Sequence, residues 1–221
     1  HLMMTELQAR ESIVRLGRSL FERGLTPGSS ANMSIRIADG YIITPTNSCF
    51  GFLETDALSK LSSDGTLISG APPSKEFVLH QAMYDQRRTD HAIVHLHSSN
   101  ATLVSCLEEL DPDSVVMPLT PYLWMRLGRI ALVPYFPPGD TRLAEAVGRI
   151  ANRHAGIILA NHGPIVSGPD PEAVMYSMEE LEESAKLMLM ARAQSVRLLS
   201  DEQIGELRER YGDRNKPCDL S

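Results

Sequence analysis

The segment NMSIRIADGYIIT at residues 32–44 restricts the fold of this chain more than any other part of the sequence. Apolar and polar residues alternate on both sides of Asp39-Gly40. Alternation with a period of two indicates a half-buried strand, and Asp-Gly is a common turn between antiparallel strands. The segment therefore predicts a β-hairpin, so the sheet that contains it is antiparallel at least in part.

Patterns elsewhere predict helices around further strands. Helices are expected over 6–23, from near Ser74, over 98–110, over 141–154, and over a long stretch that Asp170 begins. The Met and Leu stripe of that long helix indicates core or subunit packing. Strands are expected within 62–70, 92–97, 129–136, 155–160 and 164–168. Hairpins flanked by helices favour an α/β fold, a three-layer α/β/α arrangement with a mixed, largely antiparallel central sheet.

The length of the chain favours one domain. It has 221 residues, of which 43% are hydrophobic, and single domains commonly run to roughly 250 residues. The sequence shows neither an internal repeat nor a Ser/Gly-rich linker, so residues 1–221 are predicted to form a single domain. We interpret His1-Leu2, which precedes Met3-Met4, as a remnant of cloning.

Composition narrows the classes of partner and the compartment. A net charge of −7 argues against nucleic-acid binding. No apolar run reaches the roughly 20 residues that a membrane span needs, and no export signal is recognisable, so we expect no membrane contact and a cytoplasmic location. The three scattered cysteines form neither a disulfide framework nor a zinc motif, which indicates reduced thiols at Cys49, Cys106 and Cys218.

Three histidines predict a metal site. On a strand His95 and His97 share one face, about 6.6–7 Å apart along the backbone, and both imidazoles can reach one ion. Catalytic zinc usually has three protein ligands, and His162 in NHGPIV is the best third candidate because it too follows an apolar strand. The alternative role for any single histidine here is that of a hydrogen-bonded residue at the end of a strand. Without recognisable partners, three others are assigned structural roles: His80, His91 and His154.

The segment PPSKE offers a base and an anion pocket beside such a site. Glu76 is either a first-turn residue favoured by the helix dipole or an acid/base group that faces a cleft. Ser74, Lys75 and the free backbone N–H groups of a helix start can hold phosphate or carboxylate. Two small polar turns could donate hydrogen bonds to phosphate, one through Gly28, Ser29 and Asn32 and the other through Thr46 and Asn47. The alternative is that each is only a turn.

Five motifs occur in this order along the chain and are followed by a Glu-rich helix: GSSANMSIR, ITPTN, PPSKE, VHLHS and NHGPIV. Together they resemble the class II aldolase/adducin family over essentially the whole sequence. The resemblance implies zinc at His95, His97 and His162, with manganese or cobalt as alternatives. Glu76 would be the acid/base and a metal ligand when substrate is absent. Ser74 and the two turns would hold phosphate. It also implies a homotetramer with sites at subunit boundaries, where Tyr122 would assist proton transfer or serve a structural role.

The segments PPSKE, HLHS, NHGPIVSG and residues 118–140 most resemble the branch that decarboxylates 3-oxo-tetronate 4-phosphates. This resemblance implies a zinc-dependent lyase that expels carbon dioxide and leaves an enediolate, which Glu76 protonates to dihydroxyacetone phosphate. Aldol cleavage of a sugar phosphate is the alternative, and epimerisation and an adducin-like association module are weaker ones. Fuculose-phosphate-type aldolases have Ser-Ser-Glu where this chain has Ser74-Lys75-Glu76, and Gly-Asn where it has Ala31-Asn32. These differences argue against cleavage of fuculose phosphate. We expect Lys75 to contact the substrate phosphate or the departing carboxylate.

Overall fold

A mixed eight-stranded sheet forms the centre of the molecule in the computed structural model, which describes residues 2–219. His1, half of the dipeptide interpreted as a cloning remnant, lies outside the described residues. The strands follow the spatial order β4-β3-β2-β1-β5-β8-β7-β6, and neighbours run antiparallel except β6 and β7, which run parallel. Their bounds are β1 Asn32–Ile37, β2 Gly40–Ile43, β3 Ser59–Ser62, β4 Leu67–Ser69, β5 Ala92–His95, β6 Ala131–Val133, β7 Gly156–Leu159 and β8 Gly163–Gly168.

Helices cover both faces of this sheet, so the predicted three-layer α/β/α arrangement is confirmed. One face carries α1 (Glu6–Glu22), α3 (Ser99–Ser105) and α6 (Pro171–Ala191), and the other carries α2 (Phe77–Gln86) and α5 (Thr141–Ala151). Two further helices, α4 (Pro121–Arg126) and α7 (Asp201–Tyr211), pack against each other. Each face has its own apolar cluster, so the sheet separates two cores.

The predicted hairpin at residues 32–44 is confirmed as β1 and β2. Gly40 opens β2, and a Cβ at this position would lie 1.9 Å from the backbone oxygen of Leu61 in β3. Only glycine permits that approach, because a Cβ contact under 3 Å with backbone requires the strand to move. The glycine of this Asp-Gly pair is therefore required by the close packing of β3 as well as by the turn.

The short strand expected within 62–70 is confirmed as β4, which follows the Asp64-Gly65 turn and pairs with β3 in a second hairpin. Other predicted bounds are wrong in detail. Helix α2 begins at Phe77 instead of near Ser74, and α6 ends at Ala191 although the apolar pattern continues to 199. Strand β5 ends at His95, which leaves His97 beyond the strand.

Within residues 2–219, no helix combines the length and the apolar character that crossing a bilayer requires.

Candidate metal centre and active site

Three histidines converge where β5 ends and β8 begins. His95 is the last residue of β5, His97 follows two residues later, and His162 lies in the turn that joins β7 to β8. The Nε2 atom of His95 lies 3.1 Å from Nε2 of His97 and 3.2 Å from Nε2 of His162. The predicted convergence is therefore present, and it comes from the pairing of β5 with β8, which neighbours in sequence do not specify.

The turn before β8 brings its histidine close to the end of β5. Asn161 has a φ of 54°, a left-handed conformation that asparagine adopts more readily than most residues. A Cβ on Gly163 would lie 2.5 Å from the backbone oxygen of Leu96 and 3.4 Å from the Cα of His97. Because only glycine fits against that backbone, Gly163 permits the approach of His162 to His97.

The carboxylate of Glu76 completes the cluster. It lies at the N-cap of α2, where its side chain is 15% exposed and faces the imidazoles. Oε1 lies 3.1 Å from Nε2 of His162, and Oε2 lies 3.4 Å from Nε2 of His95. The four candidate ligand atoms lie within 4.8 Å of one another. The alternative of an outward-facing first-turn residue does not describe this conformation.

The arrangement fits a divalent cation. Ligands bound at about 2.0–2.1 Å to a tetrahedral zinc ion lie about 3.3 Å apart, close to the separations found here. Nδ1 of His95 lies 2.8 Å from the backbone oxygen of Pro164 and must donate its hydrogen there, which leaves a lone pair on Nε2 of the neutral ring. Among the described residues, the buried Oε1 of Glu76 accepts no hydrogen bond of good geometry. A cation would satisfy both atoms.

The charge states also suit metal binding. Burial lowers the pKa of His95 to about 4, and burial together with the neighbouring His162 lowers the pKa of His97. Burial alone raises the pKa of Glu76, but His162, His95 and the hydrogen bond from Asn32 outweigh it and bring that pKa to about 2. At neutral pH the site therefore presents His95 and His97 as neutral imidazoles beside a carboxylate anion, the protonation states that metal ligands require.

Two of the segments predicted to bind an anion lie side by side next to Glu76. The backbone N–H of Thr46 donates to Pro72, and that of Ser74 donates to Thr44, over 3.0 and 3.2 Å. These bonds place the turn Thr46–Asn47 beside the PPSKE segment. The hydroxyl of Ser74 accepts a hydrogen bond from the backbone N–H of Glu76 over 3.3 Å, so it also supports the start of α2.

The remaining predicted residues are more exposed. Gly28 and Ser29 lie in an exposed turn before β1, and Lys75 is exposed beside Glu76. Tyr122 is 60% exposed on α4, a helix that packs against α6 and α7. Their substrate-binding and catalytic roles stay predictions.

Asn32 makes a contact that the sequence analysis did not anticipate. It lies opposite His95 in the pairing of β1 with β5, and its amide Nδ2 donates to Oε2 of Glu76 over 2.8 Å. Its Oδ1 contacts Nε2 of His80 over 2.6 Å. The assignment of His80 as a residue without partners is therefore wrong. Its spacing of four from Glu76, about one helical turn, was the signal that could have linked them.

Comparisons with known proteins agree with this geometry. Residues 11–189 match the Class II Aldolase and Adducin N-terminal domain. The chain is 45% identical over 206 residues to a 3-oxo-tetronate 4-phosphate decarboxylase of Pectobacterium atrosepticum, covering 93% of this chain and 94% of that protein. It is 33% identical over 181 residues to an L-fuculose phosphate aldolase of Methanocaldococcus jannaschii, covering 82% and 96%.

A solved structure gives the same result for the fold. The crystal structure of YgbL from Klebsiella pneumoniae matches with a TM-score of 0.91 and 43% sequence identity, covering 93% of this chain and 100% of that chain. The chain belongs to the class II aldolase and adducin family, as its sequence motifs predicted.

Proposed function

We propose that this chain is a metal-dependent carboxy-lyase that converts a 3-oxo-tetronate 4-phosphate to dihydroxyacetone phosphate and carbon dioxide. The observation that carries the proposal is the similarity, at 45% identity over 93% of the chain, to a protein with that name. The cluster of three imidazoles and one carboxylate supports the same chemistry, because it offers a cation site and an acid/base group side by side.

The residues that would hold the cation are His95, His97 and His162, with Glu76 as a fourth ligand when no substrate is present. Zinc suits this donor set best, and manganese and cobalt are the alternatives. A bound divalent cation supplies Lewis-acid stabilisation of the negative charge that develops on substrate oxygens as carbon dioxide leaves. Metal analysis of protein purified without added metal tests the identity of the ion.

Glu76 is proposed to move the proton. The bond between C1 and C2 breaks, C1 leaves as carbon dioxide, and its electron pair forms the enediolate across C2 and C3. Protonation at C2 then gives dihydroxyacetone phosphate, so one proton is consumed in each turnover. Glu76 takes this proton up from solvent and delivers it to C2, because its Oε1 is the carboxylate oxygen left free by the Asn32 contact.

The phosphate group is proposed to bind where the two hydrogen-bonded segments meet. Ser74, Thr46 and Asn47 offer hydroxyl, amide and backbone donors within this region. Lys75 adds a positive charge beside Glu76, which an acidic chain needs in order to hold an anionic substrate. The exposed turn at Gly28 and Ser29 is retained as a further part of this pocket.

The decisive experiment identifies the products. The protein is incubated with the 3-oxo 4-phosphates derived from erythronate and threonate, and dihydroxyacetone phosphate is measured by a coupled assay with and without trapping of carbon dioxide. Release of both products in equal amounts supports the proposal. Dihydroxyacetone phosphate with an aldehyde, formed from a sugar phosphate instead, would favour the aldolase alternative. A purified protein that holds no divalent ion and stays inactive after zinc or manganese is added would favour an association module.

We also propose a homotetramer with sites at subunit boundaries. Exposed apolar side chains on the helices nearest the site support it, namely Val78 on α2 and Leu103 on α3, as does exposed Tyr122 on α4. Light scattering measures the mass. A cytoplasmic location is proposed as well, since Cys49, Cys106 and Cys218 form no disulfide within residues 2–219; cell fractionation tests it.

A further inference from the structure

A chain of buried polar side chains lies between β1 and α2, directly behind Glu76. Asn32 and Ser34 come from β1, and His80 and Tyr84 come from α2. Their exposures are 2%, 0%, 0% and 1% in that order. We call these four residues the buried polar chain. Burial of these polar groups without hydrogen bonds would be costly, so the hydrogen-bond partners of the four residues indicate what role they have.

Each member contacts the next. Nε2 of His80 lies 2.6 Å from Oδ1 of Asn32, and Nδ1 of His80 lies 2.7 Å from the hydroxyl of Ser34. The hydroxyl of Tyr84 lies 2.9 Å from that of Ser34. At the other end, Asn32 reaches Oε2 of Glu76. One continuous series of contacts therefore joins the core to the carboxylate.

The carboxylate determines the direction of every hydrogen bond. An ionised Glu76 can only accept, so the amide of Asn32 must present its NH2 group there and its Oδ1 to His80. Nε2 of His80 must then carry a hydrogen and donate. Burial lowers the pKa of His80 to about 3, so the ring is neutral and its Nδ1 accepts. Consequently the hydroxyl of Ser34 donates to Nδ1, and the hydroxyl of Tyr84 donates to Ser34, whose hydroxyl and backbone oxygen lie 2.9 and 3.2 Å away.

We propose that His80 is a positioning residue for the acid/base group: its Nε2–H fixes the Asn32 amide, which holds one oxygen of Glu76 and leaves the other free for the reacting carbon. The inference rests on the proposed function only in assigning Glu76 the proton transfer. It does not depend on which group leaves the substrate. His80 touches no substrate atom in this account and acts through Asn32 alone.

The tautomer of His80 makes the account specific. If Ser34 no longer donates to Nδ1, that atom keeps a lone pair without this donor. The alternative Nδ1–H tautomer would set Nε2 against Oδ1 of Asn32 lone pair to lone pair, or would turn the amide so that its oxygen faces the Glu76 carboxylate. The contacts of Asn32 and Glu76 therefore hold the Nε2–H tautomer even without the Ser34 hydroxyl.

Two substitutions at one position separate donation to Asn32 from simple filling of space. In His80→Gln the amide nitrogen occupies roughly the place of Nε2 and can still donate to Asn32. In His80→Asn the amide is too short for that contact, although it can still meet Ser34. His154→Gln is the matched control, because His154 is also a buried histidine, held through Nδ1 by the backbone oxygen of Arg129.

The kinetic measurement is exchange of deuterium from solvent into dihydroxyacetone phosphate, which uses the acid/base group whether carbon dioxide or an aldehyde is the leaving group. We expect His80→Asn to lower the exchange kcat by about 10- to 100-fold with KM within about twofold, since small misplacement of a reacting group is costly. His80→Gln should stay within about threefold of wild type. Unaltered exchange in His80→Asn, or equal loss in His80→Gln, overturns the inference.

A measurement without turnover tests the same point. Solid-state 15N spectra of histidine-labelled protein report which ring nitrogen carries hydrogen, and the His80 signals are those lost in His80→Gln. We expect the Nε2–H tautomer in wild type and also in Ser34→Ala, because the contact with Asn32 is kept, with metal content unchanged. A wild-type Nδ1–H tautomer overturns the inference. Wild-type protein that catalyses exchange but not decarboxylation would contradict only the proposed substrate. Wild-type protein that catalyses no exchange would contradict both the proposed function and the inference about His80.

Discussion

The two faces of the central sheet differ in what they bury. The face covered by α1, α3 and α6 is mainly apolar, and its buried Glu182 accepts hydrogen bonds from backbone N–H groups at the start of α3. The face covered by α2 and α5 contains the buried polar chain and ends at Glu76 and the histidines. Both faces bury polar groups, but within residues 2–219 only the second connects them to Glu76 and the candidate metal ligands. We infer that the first face mainly stabilises the fold and the second also positions the chemistry.

The largest effect is expected where the second face meets the metal ligands. His162→Ala removes one of three imidazoles, so both bound metal and catalysis should fall to background, since loss of Lewis-acid stabilisation costs several kcal/mol. Metal per chain is measured by mass spectrometry beside kcat. His91→Ala, at a histidine that directly precedes β5, is the control and should retain both. A His162→Ala protein with full metal and activity would remove this site from the proposal.

Glu76→Gln is expected to have the next largest effect. The amide cannot exchange a proton with substrate, so kcat should fall by about 10²–10⁴-fold, the usual range for an acid/base group. The three imidazoles stay in place, so metal content should change little. Loss of metal equal to that of His162→Ala would instead make Glu76 chiefly a ligand, and an unchanged kcat would exclude it as the acid/base.

Lys75→Ala should have an intermediate effect that appears in kcat/KM. A charge-assisted contact with the substrate anion is worth enough to lower kcat/KM by about 10- to 150-fold when it is removed. Lys186→Ala removes the same charge from an exposed position on α6 and serves as the control. Decarboxylation constants that do not change in Lys75→Ala would show that this lysine does not contact the substrate.

The same two faces explain how much could be predicted from sequence. The convergence of the candidate metal ligands was predicted because His95 and His97 are close in sequence and His162 follows an apolar strand of its own. The layers were predicted because alternation and helical spacing are local patterns. These signals use only short stretches of chain.

The buried polar chain could not be predicted in the same way. Contact between Asn32 and His80 depends on the docking of α2 over β1, which no local pattern encodes. Strand β3 was also missed, because its polar residues Ser59, Lys60 and Ser62 do not form a pattern typical of a strand, and they pair with β2 in the fold. Helix α4 and helix α7 lie in segments whose patterns gave no prediction, and they pack on each other. Contacts between distant segments thus set the limit.

A matched pair of core substitutions gives the smallest expected effect on catalysis and tests the division between the faces. Leu16 on α1 and Leu79 on α2 are both 2% exposed, one in each apolar cluster. Truncation of either to alanine should lower the free energy of unfolding by about 2–5 kcal/mol. Below the melting temperature Leu16→Ala should leave kcat unchanged, whereas Leu79→Ala should lower it, because α2 carries both Glu76 and His80. Equal kcat values in the two folded variants would mean that the second face stabilises the fold without positioning the chemistry.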